Sequence, residues 1–417
     1  MVAMRKGGGG AGCASSQNAP EDSSSQQQTQ HSDAATSTAG RSARRMRRDA
    51  VFMYSKPYFD ALQLLPVHSS RELMTLALAR TLGFFQQGRL QCVAPAKAAR
   101  ADLELFHSKE YIDALVKYGA AASTSVSTAR AMTVDQDELE RFGLVDDAYA
   151  FPDMLQYCRW VAGASITAAD ALLHLMRRRT DSRTPIDTSD ASPPLANVAA
   201  PVVINLGGGR HHAMRGKASG FCYVNDVVLG IQRLLVKGDS AVSNSVLCVD
   251  IDVHHGDGVQ EAFYFSESIT TVSFHLYERG FFPGTTGSAG SVEHGIGRGK
   301  FRNINVPLKR GISDAAYTTL FNRVVSHAAK QLKPQVLVLV CGVDTLSRDS
   351  LGGFNLTSAG ICACIETLLG FDLPLLLLGG GGYSGADASK CFAEVVATTL
   401  GVRESLPERI PEHEFYL

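Results

Sequence analysis

Residues 245 to 258 read SVLCVDIDVHHGDG, so an apolar run leads directly into three aspartates and two histidines. The apolar half is typical of a buried β-strand. A polar turn would explain the glycines but not the histidines, because turn residues are favoured for backbone reasons that histidine does not supply. The stretch therefore predicts a strand that ends in a functional site.

From about residue 50 onward, the chain alternates strand-like runs with helical patterns. Several runs are apolar at consecutive positions, which is typical of central strands in a parallel sheet that is covered on both faces. The predicted strands span residues 200–206, 245–253, 269–274, 335–343 and 373–379. The alternation predicts a single α/β domain with a mainly parallel sheet, in which ligands bind beyond the carboxyl ends of the strands.

Two helices carry signals for their first turn. Residues 313–332 begin with Ser-Asp and continue with apolar residues at helical spacing, which predicts a capped helix. Ser69 followed by Glu72 has the spacing of a capping box and predicts a helix that runs toward Gly88. The polar, aperiodic residues 177–197 are interpreted as a surface insertion within the domain.

Composition narrows the class of protein. The chain has 417 residues, 45% of them hydrophobic, and a formal net charge of -1, which argues against extensive binding to nucleic acid. Nine cysteines without a CxxC pair indicate a reduced, intracellular compartment. No apolar stretch is long enough for a membrane span, so no membrane association is expected.

Residues 1–48 have a different composition from the rest of the chain. They are rich in Gly, Ser, Gln and Thr, and have too few large apolar groups to offset the entropy of ordering, so a disordered tail is predicted ahead of a globular domain over 49–417. The tail ends in RSARRMRR (41–48), which fits nuclear import or contact with nucleic acid, although a solvated basic run explains it equally well. The expected location is the nucleus, with the cytoplasm as an alternative.

Four predicted strand ends carry unusual residues. They are GGGRHHA (207–213), DIDVHHGDG (250–258), CGVDTL (341–346) and LGGGGYSG (378–385). If these strands are neighbours, two His-His pairs, several aspartates and one tyrosine converge on a single cleft.

The Asp-x-His spacing in this cleft predicts a metal site. Asp252 and His254 are two positions apart at a strand end, and strand side chains alternate between faces, so both are expected on one face. Asp344 is a candidate third ligand, with water at the open position. Zinc fits this mixture of oxygen and nitrogen ligands, while Fe(II), Co(II) and Mn(II) also bind carboxylate-rich sites.

These motifs resemble the zinc-dependent histone deacetylase family of the arginase-deacetylase fold, in particular its class I branch. The resemblance covers about residues 50–405. It rests on HHA, SGFCYVND (219–226), DIDVHHGDGVQEAFY, TVSFH, FFPG (281–284), GVDTL, FNLT and LGGGGY. It implies a hydrolase that removes acetyl groups from Nε-acetyl-lysine in histone tails or other proteins, with one catalytic Zn²⁺, one structural K⁺ and co-repressor-type protein partners.

The resemblance also implies a role for each site residue. The zinc ligands would be Asp252, His254 and Asp344. The catalytic residues would be His211, His212, Tyr383, Asp250 and Asp257, with the aspartates orienting the histidines, His212 as general base and Tyr383 polarising the substrate carbonyl. The potassium site would lie around Asp250, Asp252, His254, Ser273 and Phe274. The substrate channel would be lined by Gly220, Phe221, Phe282 and Leu351, with Asp147 at its rim, and Arg71 and Arg210 would face an internal cavity.

The hydrolysis of an acetamide accounts for these residue types. A bound divalent metal lowers the pKa of water from about 15.7 to about 7. A histidine must take up a proton and later return it to the leaving amine. The oxyanion of the tetrahedral intermediate needs a hydrogen-bond donor, which a tyrosine hydroxyl can supply.

The chain departs from class I relatives at two places. The positions that would bind inositol phosphate are occupied by Val67, Ser350 and Ala386, so that regulator is not expected. Arg210 stands where relatives carry an apolar cavity residue. Its side chain either turns outward to solvent or enters the cavity beneath the metal, where it would exclude inhibitors with bulky aromatic groups.

Two other functions stay open at this point. One is another amidohydrolase of the same fold, of the acetylpolyamine type or the binuclear-metal ureohydrolase type. The other is a non-catalytic scaffold that binds acetyl-lysine. The number of metal ions per chain and an assay of acetyl-lysine hydrolysis would distinguish them.

Overall fold

The computed structural model describes residues 48–65, 67, 70–86, 90–123, 135–181, 199–238, 245–284 and 289–415. Within them, eight strands are β1 (Arg48–Met53), β2 (Leu90–Val93), β3 (Ala199–Asn205), β4 (Val246–Asp250), β5 (Ile269–Leu276), β6 (Asn303–Leu308), β7 (Val336–Val340) and β8 (Leu375–Leu378). All pair in parallel, in the order β2-β1-β3-β8-β7-β4-β5-β6. The predicted α/β fold with a mainly parallel sheet is confirmed.

Eleven α-helices accompany the sheet in the described part of the chain. They are α1 (Lys56–Leu62), α2 (Arg71–Thr81), α3 (Arg100–Leu103), α4 (Lys109–Ser123), α5 (Gln136–Arg141), α6 (Met154–Asp181), α7 (Asp226–Lys237), α8 (Asp257–Phe263), α9 (Asp314–Leu332), α10 (Ser358–Gly370) and α11 (Gly385–Thr399). The longest, α6, packs against β3 and α7, and α11 packs against α2 and α10. None of these helices combines the length and apolar character that a membrane span requires.

The five strands predicted from apolar runs are the central strands of the sheet. β3, β4, β5, β7 and β8 are buried at every residue. Burial on both faces explains why their sequences are apolar at consecutive positions and not at alternate ones. β4 ends at Asp250, three residues before the predicted end, because the chain turns away from the sheet at the polar motif.

Three strands were missing from the prediction. β1 follows the arginine-rich segment, and its first residue, Arg48, had been assigned to the tail. The short edge strand β2 has exposed residues, so it lacks a continuous apolar run. The other edge strand, β6, includes two asparagines and Pro307, a residue that only a strand edge accommodates. The remainder of the predicted tail lies outside the described residues.

The predicted helix bounds need two corrections. The helix expected from Ser69 begins at Arg71 and ends at Thr81, because Gly83 follows in a left-handed conformation. The carboxylate of Glu72, the second residue of the predicted capping box, binds the guanidinium of Arg71 at 2.6 Å. Ser69 and Gly88 themselves lie outside the described residues.

The second correction concerns the start of the predicted insertion. Residues 177–181 are the last turn of α6. Arg177 donates to the carbonyl of Lys237 at 2.7 Å and Arg179 to the carboxylate of Asp372 at 2.7 Å, so this turn is attached to the domain. Residues 182–198 lie outside the described residues.

A buried histidine supports the loop that carries the first His-His pair. Nε2 of His107 accepts a hydrogen bond from the backbone N–H of Asn225 at 3.0 Å. The amide of Asn225 in turn donates to the carbonyls of His211 at 3.3 Å and Ala213 at 2.9 Å. His107 must be neutral to accept this bond, so its protonation state matters for stability.

We expect the free energy of unfolding of the domain to fall as the pH drops from about 6.5 toward 4. His107 should account for part of this loss. Burial lowers the pKa of His107 to about 4, whereas the unfolded chain would bind the proton with a pKa of about 6.5. Between these values the unfolded state binds more protons, which costs up to about 1.4 kcal/mol per pH unit. Urea unfolding at several pH values gives the free energy of unfolding as a function of pH. This free energy should depend less steeply on pH in His107→Gln than in wild type. The exposed control His327→Gln should keep the wild-type slope, and an unchanged slope in His107→Gln would contradict the assignment.

Candidate active site and metal centre

The four motifs predicted at strand ends lie side by side. β3, β8, β7 and β4 are consecutive neighbours in the sheet, and each is followed by one of the motifs. Because all strands are parallel, their carboxyl ends share one edge of the sheet. The two His-His pairs, the aspartates and the tyrosine therefore reach a common cleft.

Asp252, His254 and Asp344 form a group of possible metal ligands at this edge. One ligand atom of each residue lies within 4.8 Å of the other two. Nδ1 of His254 is 3.1 Å from Oδ1 of Asp252 and 3.1 Å from Oδ2 of Asp344. All three side chains are buried. Two carboxylates and one imidazole nitrogen are a donor set that fits zinc and similar divalent cations.

Backbone hydrogen bonds, and not strand alternation, bring these ligands together. β4 ends before Asp252 and His254. The prediction that the alternation of strand side chains places both residues on one face therefore does not apply. The N–H groups of His254 and Gly381 donate to the two oxygens of Asp252 at 3.0 and 2.7 Å. The N–H of Val253 donates to Oδ1 of Asp344 at 2.9 Å. Each carboxylate is therefore oriented by the main chain.

The electrostatics of the group favour a positive charge at its centre. Burial and the neighbouring Asp252 raise the pKa of Asp344 to about 8. Burial alone would lower the pKa of His254, but its hydrogen bonds to the two carboxylates raise it to about 10. At this close approach the two carboxylates repel each other, and a divalent cation between them would relieve that repulsion.

The first His-His pair consists of two histidines with different environments. Nδ1 of His211 is 2.6 Å from Asp250, and Nδ1 of His212 is 2.8 Å from Asp257. Burial lowers the pKa of each ring, but the charge of Asp250 outweighs it at His211, where the pKa rises to about 9. At His212, burial and the charge of His211 prevail, and the pKa falls to about 4. The pair therefore combines one cationic and one neutral imidazole.

The glycine run after β8 approaches the ligands more closely than any side chain would allow. A Cβ on Gly381 would lie 2.0 Å from Oδ2 of Asp344. From the other side, the guanidinium of Arg71 donates to the carbonyls of Gly380 at 3.0 Å and Gly382 at 3.2 Å. The run is thus held between the ligand carboxylates and α2.

Tyr383 follows this run and lines the cleft. Its backbone N–H donates to Oδ2 of Asp349 at 2.6 Å, and its ring lies 5.8 Å from that of Phe221 and 6.4 Å from that of His254. Burial and the charge of Asp344 raise the pKa of Tyr383 well above its usual value. The hydroxyl therefore stays protonated and can donate a hydrogen bond.

A cavity of about 270 Å³ leads to the ligands. Its lining includes every residue predicted for the channel and consists of Asp147, His212, Gly220, Phe221, His254, Gly280, Phe281, Phe282, Leu351 and Tyr383. Gly220 has a φ of +54°, and a Cβ there would lie 2.6 Å from the ring of His212 and 2.8 Å from that of Phe282. The glycine thus allows an aromatic wall to stand directly beside the histidine.

Comparisons with known proteins agree with this geometry. The family model of the histone deacetylase domain matches residues 66–399. The chain is 37% identical to histone deacetylase 3 of Oryza sativa subsp. japonica over 352 residues, which cover 84% of this chain and 60% of that protein. The chain belongs to the histone deacetylase family. It is also 37% identical to histone deacetylase 9 of Arabidopsis thaliana over 351 residues, 84% of this chain and 72% of that protein, and 35% identical to histone deacetylase 8 of Danio rerio over 370 residues, 88% and 86%.

The eight-stranded parallel sheet is consistent with the arginase-deacetylase fold of this family. The chain spans about 60% of the length of the rice deacetylase and a larger share of the other two.

Several residues of this histone deacetylase domain contact the site although the sequence analysis assigned them no role there. Phe281 lines the channel, and its ring stacks on that of His254 at 5.1 Å and 2°. It adjoins Phe282 in the quoted FFPG motif, so the signal was present. Asp226 ends the quoted motif SGFCYVND, but its hydrogen bond to the N–H of Arg210 joins distant parts of the chain, as does that of Asp349 to the N–H of Tyr383.

The structure selects the inward orientation of Arg210. The side chain is only 3% exposed, and Nη2 lies 3.5 Å from the carbonyl of Gly207. The backbone N–H of Arg210 donates to Asp226 at 2.7 Å, which sets the direction of the chain at this point. Burial alone would lower the pKa of Arg210, but its interactions with Tyr157, Cys222, Glu72 and Asp226 raise it. The guanidinium therefore stays charged in its buried position.

Of the residues named for a potassium site, Asp250 ends β4, Ser273 and Phe274 belong to the neighbouring strand β5, and Asp252 and His254 follow β4. Ser273 of β5 is in register with Asp250 of β4, and its hydroxyl is 2.9 Å from Nδ1 of His275. The ring of Phe274 packs on Phe321 at 5.2 Å, away from the polar group. No feature of the structure tests for potassium here, so that site stays a prediction.

The inward position of Arg210 predicts an unusual inhibitor profile. Ortho-aminoanilides with aryl groups should bind weakly, because the buried Arg210 side chain would take up the internal space that their aryl groups need, while small linear hydroxamates should bind normally. Arg210→Leu should improve the dissociation constant of the aryl compound by about tenfold or more, which corresponds to about 1.4 kcal/mol. Linear hydroxamates serve as the control and should not change. Equal affinities of both inhibitor types in wild type and variant would contradict this prediction.

Proposed function

We propose that this chain is a metal-dependent hydrolase that removes acetyl groups from Nε-acetyl-lysine in proteins. The observation that carries the proposal is the aromatic channel that ends at the Asp252, His254 and Asp344 group, beside His212 and Tyr383. Membership of the histone deacetylase family supports the same reaction. The names of the relatives indicate acetylated proteins as the substrate class. The aromatic channel gives a physical reason why an acetyl-lysine side chain would fit.

The channel suits the acetylated lysine side chain. Its walls include the rings of Phe221, Phe281 and Phe282, which favour an uncharged, slender aliphatic stem. Asp147 lies in the lining, where its carboxylate accepts a hydrogen bond from the N–H of Gly220. Burial raises the pKa of Asp147, which is consistent with a position inside the mouth of the channel and not on the open surface.

The two carboxylates and the imidazole at the end of the channel would hold the metal. A divalent cation there would supply a Lewis acid and lower the pKa of a water molecule from about 15.7 to about 7. Asp252 and Asp344 would balance its charge, and backbone N–H groups already fix both carboxylates. Zinc is the metal we propose, because the donor set mixes oxygen and nitrogen.

His212 would act as the general base and then as the general acid. Its Nδ1 faces Asp257, so a proton on Nδ1 leaves Nε2 free to take a proton from the attacking water and to return it to the amine. A low pKa keeps this ring neutral. His211, held cationic by Asp250, would stabilise the negative charge that develops during the reaction.

Tyr383 would stabilise the oxyanion of the tetrahedral intermediate. Its hydroxyl remains a donor at neutral pH, because burial and Asp344 raise its pKa. The glycine run and Asp349 hold the backbone on either side of it, so the donor is positioned before the substrate binds. Preorganised donors of this kind make a large contribution to catalysis.

Several finer points belong to the same proposal. The substrates would be histone tails or other acetylated proteins. The enzyme itself would act together with co-repressor-type partners. A structural potassium ion would lie around Asp250 and Ser273. A nuclear location would fit the basic run at 41–48, of which only Arg48 belongs to the described residues.

The metal assignment predicts that Asp252→Ala loses both bound metal and deacetylase activity, because one of two charged ligands is gone. Elemental analysis of the purified full-length protein should give about one zinc per chain for wild type and almost none for the variant. Asp170→Ala removes an exposed carboxylate that binds Arg233, and it should keep the metal. Normal zinc in Asp252→Ala would refute the site, and two metals per chain in wild type would favour a binuclear hydrolase.

The oxyanion role predicts that Tyr383→Phe folds normally and loses about 100-fold or more in kcat, by analogy with removal of one oxyanion donor. Binding of an acetyl-lysine peptide should persist, because the ring still completes the channel wall. Hydrolysis of the peptide by wild type and by the control Tyr54→Phe, outside the channel lining and its loops, should proceed at similar rates. Turnover near the wild-type rate in Tyr383→Phe would remove the tyrosine from the mechanism.

A further inference from the structure

Two loops form facing parts of the channel lining. Residues 277–284, after β5, contribute Phe281 and Phe282, and residues 341–357, after β7, contribute Leu351. Both loops leave the carboxyl edge of the sheet without regular secondary structure over these lining positions. Their separation determines the width of the channel, so any residue that joins them affects how a substrate is held.

Arg310, just beyond the end of β6, contacts the first loop. Its guanidinium carbon lies 5.7 Å from the centroid of the Phe281 ring, within the range of a cation–π contact. Nε of Arg310 also donates to Oε2 of Glu278 at 2.8 Å. Since the ring of Phe281 stacks on that of His254 at 5.1 Å, the guanidinium is separated from a candidate metal ligand by a single aromatic ring.

The same guanidinium contacts the second loop. Nη1 of Arg310 donates to the carbonyl of Gly352 at 3.4 Å. A Cβ on Gly353 would lie 2.6 Å from Nη1 and 3.1 Å from the guanidinium carbon, so glycine leaves the space that the arginine fills. The N–H of Gly311 also donates to the carbonyl of Gly353 at 2.7 Å. The arginine is thus seated on both loops at once.

We propose that Arg310 is a positioning residue that clamps the two loops and thereby determines how tightly the channel holds its substrate. This role rests on the proposed function, because the substrate is taken to be the slender side chain of acetyl-lysine. The planar guanidinium can contact a carboxylate, a carbonyl and an aromatic face together, which a compact ammonium group cannot. Arg310 acts through Phe281 and the loop backbone, and touches neither the metal ligands nor the general base.

The chain offers a matched control for this arginine. Arg298 also pairs with a glutamate, Glu267, at 3.2 Å, and both side chains are exposed. Neither residue lines the channel. Arg298→Ala and Arg310→Ala therefore both remove an exposed arginine from an ion pair. Only Arg310→Ala also removes contacts with the channel loops.

The test uses the full-length, zinc-loaded protein and two measurements. Hydrolysis of an acetyl-lysine peptide gives KM and kcat, and titration with a linear alkyl hydroxamate gives a dissociation constant that does not depend on turnover. Arg310→Ala should raise KM and the hydroxamate dissociation constant by about threefold to tenfold, with kcat within about twofold of wild type. Arg298→Ala should leave all three values unchanged. Values for Arg310→Ala that equal those of Arg298→Ala, or a fall in kcat alone, would overturn the proposal.

Two further variants show whether the effect passes through the loops. Gly353→Ala should displace the guanidinium without removing its charge and should raise KM in the same way, which also decides the matter if Arg310→Ala does not fold. In a Phe281→Leu background, Arg310→Ala should add less than about a twofold change, since the shared contact is already lost. Full additivity would overturn the route through Phe281. A wild-type protein that hydrolyses no acetyl-lysine peptide would refute the proposed function, while the hydroxamate titration would still decide the clamp.

Discussion

The carboxylates of Asp252 and Asp344 both approach Nδ1 of His254 at 3.1 Å, and all three side chains are buried at the end of the channel. Two buried negative charges at this separation repel each other unless positive charge and hydrogen-bond donors surround them. The main chain supplies donors from Val253 and Gly381. The rest of the site is arranged so that these donors and a cation can be present together.

This requirement explains why the glycine run must come so close. Gly381 reaches Asp252 only because it has no side chain, and such a flexible segment needs external support. Arg71 gives that support from α2 by binding the carbonyls on both sides of Gly381, and Glu72 balances its charge. A residue of α2 therefore helps to hold the candidate metal ligands and Tyr383 in place.

A second consequence is the separation of roles within the His-His pair. His211 and His212 are adjacent in sequence and each has an aspartate partner, yet their pKa values shift in opposite directions. His211 lies 3.8 Å from the Asp252 carboxylate, so it shares the negative charge of the ligand group, while His212 faces the channel and the charge of His211. The nearby aspartates thus raise the pKa of His211, whereas burial and the charge of His211 lower the pKa of His212.

The central strands could be predicted from sequence because burial on both faces demands consecutive apolar residues, as in QVLVLVCGV (335–343). The edge strands could not, since β2 and β6 are partly exposed and their pairing depends on neighbours far away in the chain. Nor does the spacing of Ser69 and Glu72 indicate that the carboxylate of Glu72 pairs with the buried guanidinium of its neighbour Arg71.

The sequence by itself therefore determined the fold class and the group of side chains that meet at the strand ends, because strand periodicity and chain direction are local properties. Only the tertiary structure decided the inward direction of Arg210, the support of Tyr383 by Asp349 and the seat of Arg310 on two loops. Arg71 and Gly380 are 309 positions apart, yet they share a hydrogen bond. Contacts of this kind arise from how the helices and loops pack around the sheet. Burial then determines which side chains remain ionised. No local pattern of residues encodes either property.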